Sequence, residues 1–149
     1  MAVAQTHNVT FTVDMSNYAS SFTTVYVSGT LNGWSGNANA LTDMGSGIWS
    51  ATIPVTEGRH EFKFTIDDWT DQENFASGTW CTITNGGGFV NRVLHLDADM
   101  TYSVCWDACV ACGQSEPSGT RDVTFSVDMT DYVGAFSTCL LYTSDAADD

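Results

Sequence analysis

Residues 9–24 read VTFTVDMSNYASSFTT, and residues 123–138 read VTFSVDMTDYVGAFST, with nine of the sixteen aligned positions identical. In both copies apolar residues alternate with polar ones over the first seven positions, which is the pattern of a β-strand with one buried face. The copies start 114 residues apart, and a repeat at such a fixed offset is typical of tandem domains. We therefore predict one complete domain followed by the opening of a second.

The composition divides the chain into five predicted parts. The short run Ala2-Val3-Ala4 resembles the small-residue end of a signal peptide. The final run CLLYTSDAADD resembles a translated sequencing adapter, which indicates a metagenomic fragment with a non-native tail. The predicted parts are a leader remnant (1–6), the complete domain (7–112), a linker (113–120), the truncated first strand of a second repeat (121–138) and the tail (139–149).

Short strand signals recur along the complete domain. On the clearest of them, Phe62, Phe64 and Ile66 point one way and the residues between them the other. Regularly spaced short strands with Gly- and Asn-rich turns predict an all-β fold, an immunoglobulin-like antiparallel β-sandwich. The other predicted strands are 9–15, 25–27, 48–53 (ended by Pro54), 80–84, 90–96 and 101–105.

The formal net charge of −14 limits the partners. An acidic surface repels nucleic acid and anionic membranes and suits a neutral ligand. No stretch is long and apolar enough to span a bilayer. The sequence predicts no nucleic-acid partner, no membrane partner and no cofactor.

Four cysteines remain once the tail is set aside: Cys81, Cys105, Cys109 and Cys112. An even set in a small acidic β-domain predicts two disulfides, with three possible connectivities, in a secreted or cell-surface protein. We expect Cys81 to be tied to the 105–112 segment. The alternative is a zinc site that takes its fourth ligand from Cys81, His60 or His95.

No catalytic motif is present, and the acidic residues crowd one loop: Asp67, Asp68, Asp71 and Glu73. We interpret it as a solvated loop. Paired carboxylates could instead hydrolyse a glycoside, and these acids, or Asp97 and Asp99, could hold a Ca²⁺ ion.

Two tryptophans stand in polar loops, Trp34 beside an Asn-Gly turn and Trp69 among Asp and Thr. A large apolar ring in such a loop suits stacking against the apolar face of a sugar ring. The alternative is that each ring folds back over the edge of the sandwich. We expect Trp49 and Trp80 in the core and Trp106 against a disulfide.

The chain resembles the glycogen-binding module of the AMP-activated kinase β subunit, which is carbohydrate-binding module family 48, related to the family 20 starch-binding modules. The resemblance rests on four runs: VYVSGTLNGWS (25–35), GRHEFKF (58–64), DDW (67–69) and VNRV (90–93). With its Cys-rich end, the pattern is also similar to tandem modules of secreted marine Bacteroidetes proteins.

The resemblance implies four binding residues. Trp34 and Trp69 would stack on glucose, and Lys63 and Asn91 would bond sugar hydroxyls. Residues 86–88, three glycines, stand where the family has an apolar residue that threads the sugar ring.

We therefore predict a non-catalytic module for an α-glucan or a related neutral polysaccharide, from a secreted multidomain protein. A structural or adhesive spacer of a cell-surface protein is the alternative, and an enzyme is the least favoured reading. The orphan strand 121–138 is expected to be disordered or to add to an exposed sheet edge, either of its own chain or of another molecule.

Overall fold

The computed structural model describes residues 5–117. Within this part the regular structure is β-strand apart from one 3-10 turn at Thr30–Asn32, so the all-β prediction is confirmed. None of its helical structure is long and apolar enough to cross a lipid bilayer. The strands are β1 (Thr6–Asp14), β2 (Val25–Gly29), β3 (Thr42–Gly45), β4 (Ile48–Thr56), β5 (Gly58–Ile66), β6 (Asp71–Gln72), β7 (Thr82–Thr84), β8 (Val90–Leu96) and β9 (Met100–Cys105).

The strands form two sheets that pack face to face. One sheet has the order β3-β4-β1-β9, and the other has the order β2-β5-β8-β7, with β6 paired to β5. The pairs are antiparallel except β1 with β9, which run parallel from Val9 beside Met100 to Asp14 beside Cys105. The predicted sandwich is thus confirmed, with one parallel pair inside it.

The alternating stretch of β1 lies at the centre of the core. Val9, Phe11 and Val13 are completely buried. The Phe11 ring meets Phe62 of the other sheet edge-on, with 5.2 Å between ring centroids. Because burying each such side chain stabilises the fold by about 1.5–3 kcal/mol, this strand ties the two sheets together.

The second sheet has a polar outer face that is itself covered. As predicted, Phe62 and Phe64 of β5 enter the core while Lys63 points the other way. Ser28, the cross-strand partner of Lys63, donates its hydroxyl to the carbonyl of Ser35 at 2.5 Å. The loop after the 3-10 turn therefore lies over this face and forms one wall of the site described below.

Several strand ends differ from the prediction, and two of the differences have a clear physical reason. β4 continues through Pro54 to Thr56, because β3 pairs only with residues 48–50 and, within residues 5–117, no other strand pairs with β4 on that side of Pro54. A proline is tolerated where its missing N–H faces no neighbouring strand. β7 starts at Thr82, so Trp80 lies in the preceding turn and not on a strand.

The predictions for the orphan strand (121–138), its self-association and the adapter-like tail (139–149) fall outside the described residues, as does most of the predicted leader. Thr6, the last residue of that leader, already pairs with Thr56. The first residues of the predicted linker contact the domain through Glu116, whose carboxylate accepts the backbone N–H of Cys109 at 3.0 Å.

Candidate functional site

A depression of about 340 Å³ opens on the outer side of the second sheet. The structure brings all four sequence-predicted binding residues to its wall. It adds three residues that the sequence reasoning did not single out. The lining residues are Trp34, Lys63, Trp69, Gln72, Asn85, Phe89 and Asn91.

The turn before Trp34 is fixed by one asparagine side chain. The Asn32 amide donates to the carbonyl of Val27 at 2.8 Å and to the side chain of Asn39 at 2.7 Å, and its oxygen accepts the N–H of Gly29 at 3.0 Å. Gly33 and Trp34 then both adopt left-handed backbone angles, with φ of 65° and 63°. Such angles are rare for a residue with a large side chain, so the surrounding contacts hold the indole in position.

Trp69 is presented by a second left-handed turn. Asp67, Asp68 and Trp69 have φ of 45°, 56° and 69°. The carboxylate of Asp67 accepts the backbone N–H groups of Thr23 and Thr24 at 2.8–3.1 Å, which anchors the turn to the start of β2. Strained backbone of this kind persists only where the surrounding structure over-determines it, and it concentrates at ligand sites.

The two indoles lie side by side at the rim of the depression. Their centroids are 6.4 Å apart and their planes are tilted by 36°. Trp69 is exposed and Trp34 is half-buried. A side chain at Gly36 would overlap the Trp69 ring and the Asp68 carboxylate. The absence of a Cβ at Gly36 is therefore what lets the Trp69 ring rest on the backbone.

The polar residues are held in place from below. The ammonium of Lys63 donates to the carbonyl of Glu73 at 2.9 Å. Burial lowers the pKa of Lys63, and the charges of Glu73 and Asp107 partly oppose that shift. The Asn91 amide nitrogen donates to the carboxylate of Glu61 at 3.0 Å, which leaves the amide oxygen available as an acceptor. Lys63 and Asn91 can thus offer donors and an acceptor to hydroxyl groups.

Phe89 is a site residue that the sequence reasoning missed. It is 66% exposed and lines the depression. The oxygen of the Asn85 side chain accepts the N–H groups of Gly87 and Phe89 at 3.0 and 3.1 Å, which closes the glycine-rich loop into a tight turn. The sequence signal was the apolar residue that directly follows the three glycines.

The acidic loop is not uniformly solvated, which corrects the prediction. Glu73 is fully buried and forms an ion pair with Arg92, which is also fully buried. Asp67 caps backbone groups, as described above, and Asp71 accepts the hydroxyl of Tyr18 at 2.7 Å. Within residues 5–117, no group of three or more His, Cys, Asp or Glu side chains is placed to hold a metal ion.

The four cysteines form two disulfides, Cys81–Cys109 and Cys105–Cys112. The predicted disulfides and the link from Cys81 to the later segment are therefore present. The pairing contradicts the zinc alternative, because a disulfide sulfur offers no thiolate to a metal.

The remaining tryptophans differ from one another. Trp49 is half-buried and packs on the core beside Phe22, and Trp106 is buried with its ring 5.3 Å from that of Tyr18. The expectation that Trp80 lies in the core is wrong, because Trp80 is 58% exposed. Its turn precedes the short strand β7, so no strand face carries the ring inward.

Comparison with known proteins defines the class. The family model for the glycogen recognition site of AMP-activated protein kinase matches residues 15–102, more than half of the 149-residue chain. The chain belongs to this family of glycogen-binding carbohydrate-binding modules. No curated protein sequence matches it.

Solved structures give a looser likeness. The glycoside hydrolase family 15 glucoamylase from Hypocrea jecorina is 20% identical over 72% of this chain and 18% of its own, with a TM-score of 0.46. The Hormoconis resinae glucoamylase is 20% identical over 76% of this chain and 19% of its own, with a TM-score of 0.45. This chain spans less than a fifth of the length of either glucoamylase.

Proposed function

We propose that this module binds an α-glucan or a related neutral polysaccharide without catalysing a reaction on it. The observation that carries the proposal is the meeting of Trp34, Trp69, Lys63 and Asn91 at one depression. The axial C–H groups of a pyranose pack on an indole, and adjacent amide and ammonium groups bond its hydroxyls. An open cleft with aromatic walls and few polar groups is the usual form of such a ligand site.

The shape of the site favours a curved chain. The two indoles are tilted by 36°, and the Phe89 ring adds a third apolar surface. Rings that are not coplanar follow the winding of an α-glucan better than the flat ribbon of a β-1,4-linked chain. The net charge of −14 disfavours anionic polysaccharides.

Affinity electrophoresis in gels that contain glycogen, soluble starch or hydroxyethyl cellulose tests the proposal. We expect retardation by the first two polymers only. Trp34→Ala should weaken binding by about 1–3 kcal/mol, judging by the cost of removing an aromatic ring from a stacked base. The matched control is Met44→Ala, which removes an exposed apolar side chain from β3 of the other sheet.

Two outcomes would contradict the proposal. If Trp34→Ala unfolds the domain, the ring is structural and does not form a binding platform. If no polysaccharide retards the wild-type protein, the spacer alternative is favoured. Release of reducing sugar from glycogen should stay at background, because we propose that the module only binds.

We also propose that the module belongs to a secreted or cell-surface multidomain protein. Two disulfides support this location, since they persist in oxidising compartments. Titration of free thiols in protein purified without reductant should detect none at the four paired cysteines. Reactive thiols at these positions would contradict the location.

A further inference from the structure

A second groove, of about 380 Å³, opens beside Trp80. Among the residues that the structure describes, it shares no lining residue with the site described above. Its wall is formed by the exposed indole, by the Cys81–Cys109 disulfide, by Val93 of β8 and by residues 101–104 of the edge strand β9.

The Trp80 side chain is held by a hydrogen bond at its Nε1, while the rest of its ring is exposed. Its Nε1 donates to the carboxylate of Glu116 at 2.7 Å, and the other oxygen of Glu116 accepts the N–H of Cys109 at 3.0 Å. This contact satisfies the indole N–H while the ring stays 58% exposed. An oriented but uncovered indole loses little conformational entropy when it meets a ligand.

Two residues of β9 with hydroxyl groups, Thr101 and Ser103, also line the groove. Thr101 and Ser103 lie two residues apart on β9, so both side chains project from the same face of the strand. Both are exposed. Among residues 5–117, no Lys, Arg, Asp or Glu lines the groove. A groove lined by an aromatic ring and by two hydroxyl-bearing residues suits a ligand that has an apolar face and many hydroxyls but no charge.

We infer that the groove beside Trp80 is a second saccharide-binding site, which takes a neutral pyranose by stacking on Trp80 and hydrogen bonding to Thr101 and Ser103. The inference rests on the proposed function for the class of ligand, although it uses different residues. A long polysaccharide that reached both sites would gain avidity from the link between them.

Indole N–H signals in proton–nitrogen correlation spectra test both sites in one titration of the full chain with maltoheptaose. Single Trp→Phe variants assign the signals. We expect the Trp80 signal to shift as well as those of Trp34 and Trp69, and to shift in Trp34→Ala, where the first site is damaged. Thr101→Val with Ser103→Ala keeps the ring and should weaken the Trp80 response alone.

The outcomes separate the two proposals. Shifts at Trp34 and Trp69 without one at Trp80 would overturn the second site and leave the first intact. A shift at Trp80 alone would support the second site and overturn the first. If none of the three indole signals shifts, both proposed sites are overturned. If Trp80→Ala changes only the oligomeric state, the groove is a protein contact, and that result also overturns the inference.

Discussion

Asn91 and Arg92 are neighbours on β8 and point to opposite faces of one sheet. Asn91 lines the depression on the outer face, whereas Arg92 pairs with Phe62 across the strands and enters the interior. The guanidinium of Arg92 donates its hydrogen bonds to other groups of the protein. The Asn91 amide nitrogen donates to Glu61, while its oxygen stays available to a ligand. Both residues are buried, so the comparison teaches that satisfaction of the polar groups, more than burial, separates structural from binding residues in this fold.

The interior ion pair is unusually well enclosed. Arg92 donates to both oxygens of Glu73 and to the carbonyl of Ala108 at 2.9 Å. Its guanidinium lies 4.7 Å from the centroid of Phe75. Burial by itself would lower the pKa of Arg92, but the charge and hydrogen bonds of Glu73 outweigh it, so the pKa is raised. The pair holds β8 against residues 73–75 and the segment after β9.

The first prediction breaks the interior half of the comparison and has the largest expected effect. Arg92→Met leaves Glu73 buried without its partner, so we expect a loss of about 3–5 kcal/mol of unfolding free energy. Urea denaturation measures it. The control is Arg92→Met with Glu73→Leu, which should recover part of the loss. A single variant that costs under about 1 kcal/mol would show that the pair does not hold the interior.

The second prediction compares the two disulfides. Cys81–Cys109 closes a separation of 28 residues and Cys105–Cys112 one of 7. In the chain-entropy model these loops correspond to about 3.6 and 2.4 kcal/mol. Replacing each pair by serines should therefore cost more for the first bridge, as measured by thermal unfolding. A reversed order would mean that local packing around the bridges decides their contribution.

The sequence predicts the fold well for a physical reason. Alternation along β1 and β5 has a period of two, and a residue such as Phe62 can reach the core only if that period is kept. The predicted strand boundaries at Pro54 and Trp80 were wrong, because a strand's ends depend on which of its edges are paired with neighbouring strands. Two-residue β6 carries too few residues to show any period.

The site was partly predictable. Trp34, Lys63, Trp69 and Asn91 were found from turn context and family resemblance, and the structure brings them to one depression. Phe89 and the burial of Glu73 were missed. Glu73 lies among acids in sequence, and only the approach of Arg92 from a strand 19 residues away removes it from solvent. The residues next to Glu73 in the sequence give no sign of a contact with a residue that far away in the chain.

The third prediction disturbs the outer face without removing an aromatic ring. Gly36→Ala should displace Trp69, because the new methyl group would overlap its ring. We expect glycogen binding to weaken by about 1–3 kcal/mol, as for loss of the ring itself. Met44→Ala is the control, since it shortens an exposed side chain on β3 of the other sheet. Isothermal titration with maltoheptaose compares them, and equal affinities for both variants would show that the placement of Trp69 does not matter.

The smallest expected effect concerns Asp107, at the rim of the interior pair. Its carboxylate accepts the N–H of Asn74 at 2.7 Å, and its own N–H donates to Glu73 at 3.2 Å. Desolvation by burial raises the pKa of Asp107; the Asn74 hydrogen bond opposes this, and the charge of Glu73 adds to it. The folded state therefore holds this proton more tightly than the unfolded state does. Its stabilising contribution is present at acid pH and is lost as the pH rises through the folded pKa.

Asp107→Asn should remove the loss of stability that ionisation of Asp107 causes as the pH rises. Asparagine can accept the same N–H group and tolerates the left-handed φ of 56° at this position. At neutral pH we expect the variant to be as stable as the wild type or slightly more stable, with the difference shrinking below the usual pKa of an aspartate, about 3.9. Urea denaturation at several pH values measures the difference in unfolding free energy between the two proteins, so that the contributions of the carboxylates common to both cancel.

Asp97→Asn, on the exposed turn between β8 and β9, controls for removal of one negative charge from an acidic protein. The prediction is wrong if Asp107→Asn is less stable than the wild type at neutral pH and the difference disappears on acidification. The ionised carboxylate would then stabilise the fold, and Asp107 would belong to the same set of interacting charges as Glu73 and Arg92.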